Sequence, residues 1–556
     1  MPEAPCTLGV DFGTNSVRAL IVDTATGAEL GTFVSAYPSG RDGILLDPKI
    51  PDLARQHPQD YLDCLGACIT GAIADAGPGF DADRIVGIGV DTTGSTPLPV
   101  NSEGVPLALT PAFKDHPAAM AWLWKDHTGH AEAEQITAKA REKRPHYLGK
   151  CGGVYSSEWF WAKIWACHQQ APEVFAAAHT WVEHADWIPA VLTGTDHPDV
   201  LKRGVCAAGH KAFCSDTWGG YPDAEFLKAL DPALERLAAT LPRKCHAVSE
   251  SAGGLTPDWA ARLGLKAGIP VAVGAFDAHL GAVGAGVKPG TLVKIIGTST
   301  CDITTAPLAD ALPDIPGLCG IVPESVLPGQ FGLEAGQSGV GDVFNWFVQR
   351  IQPAGHDHET LTKEAETLQP GQSGLLALDW FNGNRTVLVD QRLSGMLLGM
   401  TLATPPAHIY RALIEATAFG ARVIIERFAQ YGVPIDQVVN CGGISAKNTL
   451  VMQIYADILN RPMMLSRSTQ TCALGSAMAG AVVAGVHPDF ATATNAMTAV
   501  QDTVFHPLPE NVAVYETLFG LYRRLHDAFG ISGQDDLSDV MKTLLDVRDR
   551  TNRQSH

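Results

Sequence analysis

Asp11-Phe12-Gly13-Thr14-Asn15-Ser16-Val17-Arg18-Ala19 lies between the apolar runs Leu8-Gly9-Val10 and Leu20-Ile21-Val22. The pattern predicts a strand that ends in a carboxylate, turns through glycine and small polar residues, and returns as a second strand. Such a turn sets a metal-binding oxygen beside backbone N–H groups able to line a phosphate. Asp-x-Gly-Thr also serves ordinary hairpins, where glycine is needed for the turn alone. The choice therefore rests on whether the design recurs.

It recurs half a chain later. Leu292-Val293-Lys294-Ile295-Ile296 runs into Gly297-Thr298-Ser299-Thr300, and Ile303 resumes the apolar pattern, which implies two related halves. A third glycine turn, Cys441-Gly442-Gly443, follows the strand-like Gln437-Val438-Val439 and precedes a helical stretch over 449–459. Glycines there let a flat ligand approach the backbone at a helix N-terminus, whose dipole favours anions. A plain strand-to-helix turn would use the same residues.

A chain of 556 residues exceeds what one hydrophobic core usually supports, so two domains are expected. No run approaches the roughly 18 to 20 apolar residues that span a bilayer, and the N-terminus lacks the layout of a secretion signal. A formal charge of −19 argues against nucleic acid or an anionic membrane as partner. The 12 cysteines are scattered singly without a Cys-x-x-Cys pair, and Cys64 and Cys68 read as small buried hydrophobes on one helix face. Reduced thiols point to a cytoplasmic location. The oligomeric state is left open, a homodimer being one option.

Strand-like runs at 8–10, 19–22 and 85–90 alternate with helical stretches such as 61–74 and 158–168, which predicts a mostly parallel, layered α/β sheet. A late strand over 271–274 leads to the glycine-rich link Gly284-Ala285-Gly286-Val287-Lys288-Pro289-Gly290. The expected division is an N-terminal domain over 1–287 and a C-terminal domain over 288–530, closed by a helix near 513–529. A helix-patterned segment at 535–547 and a frayed tail complete the last unit, 531–556.

The paired turns and duplicated halves resemble the sugar-kinase, heat-shock-protein and actin superfamily. That resemblance implies an α/β fold of two related domains of the actin-like ATPase (ribonuclease H-like) type, with the active site in the cleft between them. Gly442-Gly443-Ile444-Ser445-Ala446-Lys447-Asn448, followed by Gln453-Ile454-Tyr455-Ala456-Asp457 and Arg461-Pro462, is similar to a motif of the FGGY carbohydrate kinases. Blocks at 208–212, 276–279, 296–301, 334–338 and 378–385 resemble ketopentose-phosphorylating members in the expected order, and the likeness runs from about residue 7 to about residue 500.

The resemblance implies transfer of the γ-phosphoryl group of ATP, with Mg²⁺, to the 5-hydroxyl of a ketopentose, L-ribulose first. Such a step asks mainly for positioning and charge stabilisation. It places Asp277 as the base that accepts the hydroxyl proton, although Asp277 is also placed to cap a following helix. His279 stands nearby. Asp11 is expected to hold Mg²⁺, directly or through water, with Gly13, Thr14 and Asn15 toward the phosphates. Arg18 is expected near the transferring phosphoryl, its alternative being a surface residue of the return strand. On the second half, Gly297, Thr298 and Ser299 resemble the other phosphate loop, and Gly442, Gly443 and Asn448 the adenosine site. Residues 473–480 read as a tightly packed helix behind it. For the sugar, the family pattern gives Lys211 and Glu334, with Ser95 and Thr96 from the loop after strand 85–90 and Gln337 as a helper. Trp159, Phe160, Trp161 and Trp165 read as core.

Asp302 stands where family members commonly carry histidine, and Thr92-Thr93-Gly94 is a smaller sugar loop; both bear on selectivity. D-ribulose, xylulose, glycerol or a polyol are the alternative substrates, and a chaperone-like ATPase module is the competing class. Sugar is expected mainly on the first half and nucleotide mainly on the second, so that the halves close for transfer.

Overall fold

The computed structural model describes residues 4–533, 537–539, 541–543 and 546. The opening hairpin forms as its sequence predicts: β1 (Cys6–Phe12) and β2 (Ser16–Asp23) pair antiparallel, and β3 (Glu29–Ala36) extends the meander. Helix α1 (Pro58–Asp75) then crosses over to β4 (Ile85–Thr92), which returns parallel to β1. β5 (Pro270–Ala272) lies parallel beyond β4, flanked by the antiparallel edge strand Ser251–Gly254, and α2 (Asp277–Gly284) closes this half.

The second half repeats the plan. β6 (Gly290–Ile296), β7 (Thr300–Pro307) and β8 (Gln330–Ala335) form the meander, and α3 (Pro406–Gln430) crosses to β9 (Ile435–Cys441), parallel to β6. After α4 (Thr449–Leu459) come β10 (Met463–Ser466), α5 (Thr471–Val483) and the long α6 (Pro509–Gly530). The two sheets run β5-β4-β1-β2-β3 and β10-β9-β6-β7-β8, the same order. The β1–β2, β2–β3 and β6–β7 turns are too short for a crossover, and β7 pairs antiparallel with β8 across a longer connection that adds the edge strand Gly320–Pro323, so the sheets are mixed rather than mostly parallel.

Leu8, Val10 and Phe12 of β1 are fully buried, as befits a central strand covered on both faces. Between β4 and the edge strand lies an insertion of helices with its own core around Trp122, Tyr147, Trp161 and Trp181. The alternation of helix and strand in the sequence does not distinguish such an insertion from the sheet layers. Residues 473–480 of α5 lie hard against the first sheet: a Cβ on Gly9, Gly87 or Gly89 would collide with the carbonyls of Ala473, Gly480 or Ser476. Helices α2 and α5 meet the same way, since a Cβ on Gly284 would strike the carbonyl of Thr471 and one on Gly475 that of Leu280. Most of the helix expected over 535–547 lies outside the described residues. Among those described, no helix is long and apolar enough to cross a membrane.

Candidate active site

Parallel pairing of β1 with β4 sets Asp11 beside Asp91, and antiparallel pairing with β2 sets it opposite Arg18. Two carboxylates taken from water side by side resist ionisation together. Burial raises Asp91 well above the carboxylate range and the charge of Asp11 adds to this, while the hydroxyl of Ser476, 2.5 Å away, pulls back. Burial also raises Asp11, opposed by a hydrogen bond with Asp91 and by the charge of Arg18. Asp91 Oδ1 is buried with no hydrogen-bond partner among the described residues.

Asp277 is the first residue of α2, and its Oδ1 accepts the N–H of Ala278 at 2.6 Å. The N-cap position falls to Phe276 and no side chain caps the helix, so Asp277 is not its cap; the Ala278 contact occupies one carboxylate oxygen. Burial, then the charges of Asp11 and Glu334, raise its pKa to about 7 against the Ala278 N–H and Lys211, which lower it. A carboxyl poised near neutrality, within the field of both the acid pair and the sugar-side charges, is suited to take a proton from an alcohol.

Lys211 ends the helix Val205–Lys211 of the first half, and Glu334 lies on β8 of the second. Their side chains meet across the cleft, with Nζ 3.0 Å from both carboxylate oxygens. Burial would raise Glu334, but Lys211, His210, His279 and Arg385 outweigh it and hold the carboxylate well below its usual range. Burial likewise opposes the Lys211 ammonium, and Glu334 more than offsets it. His210 Nδ1 stands 3.3 Å and His279 Nε2 3.8 Å from Glu334 Oε2. Burial drives His279 to about 4 and His210 well below its ordinary value, so both rings are neutral at pH 7. A cavity of about 480 Å³ opens onto this pair, lined among others by Gly94, Trp124, Trp159, Lys211, Glu334 and Arg385.

Both glycine turns fold back on themselves: Gly13 N–H donates to Ser16 O at 2.9 Å and Gly297 N–H to Ser299 O at 3.0 Å. Thr14 Oγ1 accepts from Trp124 Nε1 at 3.1 Å, and Asn15 Nδ2 donates to Asp42 O at 2.6 Å. Thr298 accepts through its carbonyl from Val340 and Asp342 N–H groups. Gly442 adopts φ 96° against β6, where a Cβ would crowd the Ile296 carbonyl, and Gly443 opens a short helix. Asn448 caps α4, its Oδ1 accepting from Val451 N–H at 3.1 Å.

Several expectations change. The sugar-side charges come from both halves, because Glu334 belongs to the second. Ser95 and Thr96 are fully buried; the Ser95 hydroxyl donates to Glu183 and the Thr96 N–H donates to the same carboxylate, so the loop presents Gly94 to the cavity. Asp302 does not face the cleft: it is buried against Lys294, 2.9 Å from both carboxylate oxygens. Gln337 is engaged by Lys294, Asp379 and the Thr417 carbonyl rather than by Glu334. Trp159 is a core residue as expected, and its ring also stands 5.2 Å from the Lys211 ammonium at the cavity. Asp91 was visible in the sequence as the end of a strand parallel to β1, and its partnership with Asp11 follows from that register. Arg385 and His210 sat in quoted blocks without a role, and nothing local marks them.

Fold and site together define a phosphotransferase built on two like-folded halves with its polar centre between them. Residues 6–284 match the N-terminal domain and residues 292–484 the C-terminal domain of the FGGY family of carbohydrate kinases, and the chain belongs to that family. It is 42% identical to a ribulokinase of Halalkalibacterium halodurans over 98% of both chains. It is equally 42% identical to ribulokinases of Geobacillus thermodenitrificans, over 97% of this chain and 96% of that one, and of Mycolicibacterium smegmatis, over 95% of each. Among solved structures, a xylulose kinase from Lactobacillus acidophilus superposes with a TM-score of 0.77 at 20% identity, covering 95% of this chain and 99% of that one. A glycerol kinase from Plasmodium falciparum with ADP gives 0.76 at 17% identity, over 94% and 98%. These structural likenesses concern the fold.

Proposed function

We propose that this chain is a ribulokinase: it transfers the γ-phosphoryl group of ATP to the 5-hydroxyl of L-ribulose. The observation that carries the reading is the cluster of charges around Asp277, whose carboxyl, with a pKa near 7, feels both Asp11 of the acid pair and the Lys211–Glu334 pair. Full-length likeness to ribulokinases supports ribulose over xylulose, glycerol and the polyols.

Lys211 donates to sugar oxygens and Glu334 accepts from sugar hydroxyls, orienting the terminal alcohol toward Asp277. Asp277 then takes the hydroxyl proton as the oxygen attacks the γ-phosphorus, and Arg18 opposes the negative charge that develops. The turns at Gly13-Thr14 and Gly297-Thr298 cradle the phosphates, and Gly442, Gly443 and the start of α4 hold the adenosine. Asp11 and Asp91 fit a hard dication: burial destabilises both carboxylates, the charge of Asp11 adds to this at Asp91, and Asp91 Oδ1 lacks a partner among the described residues. Mg²⁺ held there would supply charge neutralisation to the phosphates. Cys472, whose sulfur lies within 4.8 Å of these carboxylates, is too soft a donor to share that ion.

ATP consumption measured across pentuloses, pentitols and glycerol tests the reading. The highest kcat/KM is expected for L-ribulose. Turnover of another ketose or of glycerol in its place would transfer the assignment to that substrate, and ATP hydrolysis indifferent to sugar would end it.

A further inference from the structure

Lys163 is the least expected charge in the molecule. It lies on the helix Phe160–Gln170 of the insertion, is fully buried, and forms no ion pair within 4 Å among the described residues. Its ammonium instead gathers backbone carbonyls from two separate segments: Ser95 O at 2.7 Å, Leu123 O at 2.8 Å, Trp122 O at 3.3 Å and Trp124 O at 3.5 Å. An unpaired buried ammonium is costly, so a site that keeps one needs what it holds in place.

What it holds is the wall of the sugar cavity. Ser95 follows Gly94, which lines that cavity, and the same loop is fixed from its other side by Glu183, which accepts from the Ser95 hydroxyl and the Thr96 N–H. The other segment ends in Trp124, which also lines the cavity and whose Nε1 donates to Thr14 Oγ1 in the first phosphate turn. One cation thus ties the loop carrying Gly94 to the turn carrying Trp124, just after the strand Ala121–Trp122, and through Trp124 to the phosphate hairpin.

We propose that Lys163 is a positioning residue for ketose recognition: without touching substrate, it sets Gly94 and Trp124 at the separation that the sugar requires. The inference rests on the kinase reading above. Its physical content is that Lys163 Nζ is the donor shared by Ser95 O and the 122–124 segment, whose Leu123 O also accepts the Asp126 N–H at 2.9 Å, so removing that donor unties the Ser95 loop while the 122–124 segment keeps a bond of its own.

The test compares Lys163→Met, which keeps most of the stem and removes the donors, with Ser95→Ala, which loosens the same loop and leaves Lys163 in place, and Glu183→Gln, which loosens it and also removes a negative charge that favours the Lys163 ammonium. In Lys163→Met that still melts cooperatively, the ketose KM is expected to rise about tenfold or more while the ATP KM changes less than about threefold. Ser95→Ala and Glu183→Gln are expected to shift the ketose KM in the same direction by less. A ketose KM within about twofold of the parent, or equal losses in both KM values, would overturn the proposal. If Lys163→Met does not fold, Ser95→Ala and Glu183→Gln decide: a selective rise in ketose KM upholds the clamp and unchanged values reject it. Hydrogen exchange of residues 93–96 reads the loop without substrate. Faster exchange in Lys163→Met alongside a parent that turns over no ketose would sink the kinase reading and leave the clamp standing; unchanged exchange in a folded variant would remove the clamp.

Discussion

The two halves share one topology and almost nothing of its charge. In the first, β1 brings Asp11 beside Asp91 and opposite Arg18; in the second, the equivalent place on β6 is Ile295, beside Cys441 and opposite Cys301. Helix α2 opens with Asp277, while its counterpart α5 opens with Thr471. The second half does hold a buried charge pair, Lys294 with Asp302, but one strand position away and turned into its own interior. The lesson is that the duplicated fold supplies two similar backbone turns, whereas the acid pair and the carboxyl at the start of the following helix stand on one side only. The second half adds Glu334 and Arg385 to the centre.

The strongest way to break this comparison is Asp277→Ala. Turnover is expected to fall about 10²- to 10⁴-fold with ATP binding by calorimetry largely kept; near-normal turnover would release Asp277 from its role. Asp11→Ile, which imports the second half's residue, is expected to lower turnover about a hundredfold or more and to abolish its response to added Mg²⁺. Asp11→Asn sharpens the same point through pH. Parent turnover is expected to rise with pH through about 7 as Asp277 loses its proton. Without the neighbouring negative charge the acid limb of the residual turnover must move to lower pH, since Asp11 is what raises Asp277 after burial; a limb that stays put refutes the coupling.

Lys211→Met leaves Glu334 buried without its cation and is expected to cost about 3 to 5 kcal/mol in urea unfolding, with Lys211→Met/Glu334→Gln recovering part of the stability but none of the ketose turnover. Gly89→Ala probes the asymmetry of packing. Its Cβ would collide with the Ser476 carbonyl of α5, so roughly 1 to 3 kcal/mol of stability should be lost, and with it the Ser476 contact to Asp91.

Much of this was legible because it is local. Glycine, a small hydroxyl residue and flanking apolar runs define each turn, so both cradles and the β1 carboxylate could be read from a dozen residues. Ser95 and Asp302 show where local reading stops. Each lies in a stretch that suggests a ligand contact, yet whether a side chain faces the cleft or the interior depends on partners far along the chain, Glu183 for one and Lys294 for the other. Lys163 was beyond reach for the same reason: its partners are main-chain oxygens, which carry no residue signature. The insertion between β4 and β5 escaped notice because helices that build a separate core have the same periodicity as helices that cover a sheet.

The reciprocal glycine contact of α2 with α5 also limits how the molecule can breathe. Two rods touching backbone to backbone, at Gly284 and Gly475, cannot slide apart without losing their whole interlock. Any parting of the lobes must swing about that crossing, so a side chain at the root of α2 travels little while the rim near Trp124 and Arg385 sweeps the widest arc. Asp277 sits at the axle of the jaw, and the mouth of the cavity at its lips.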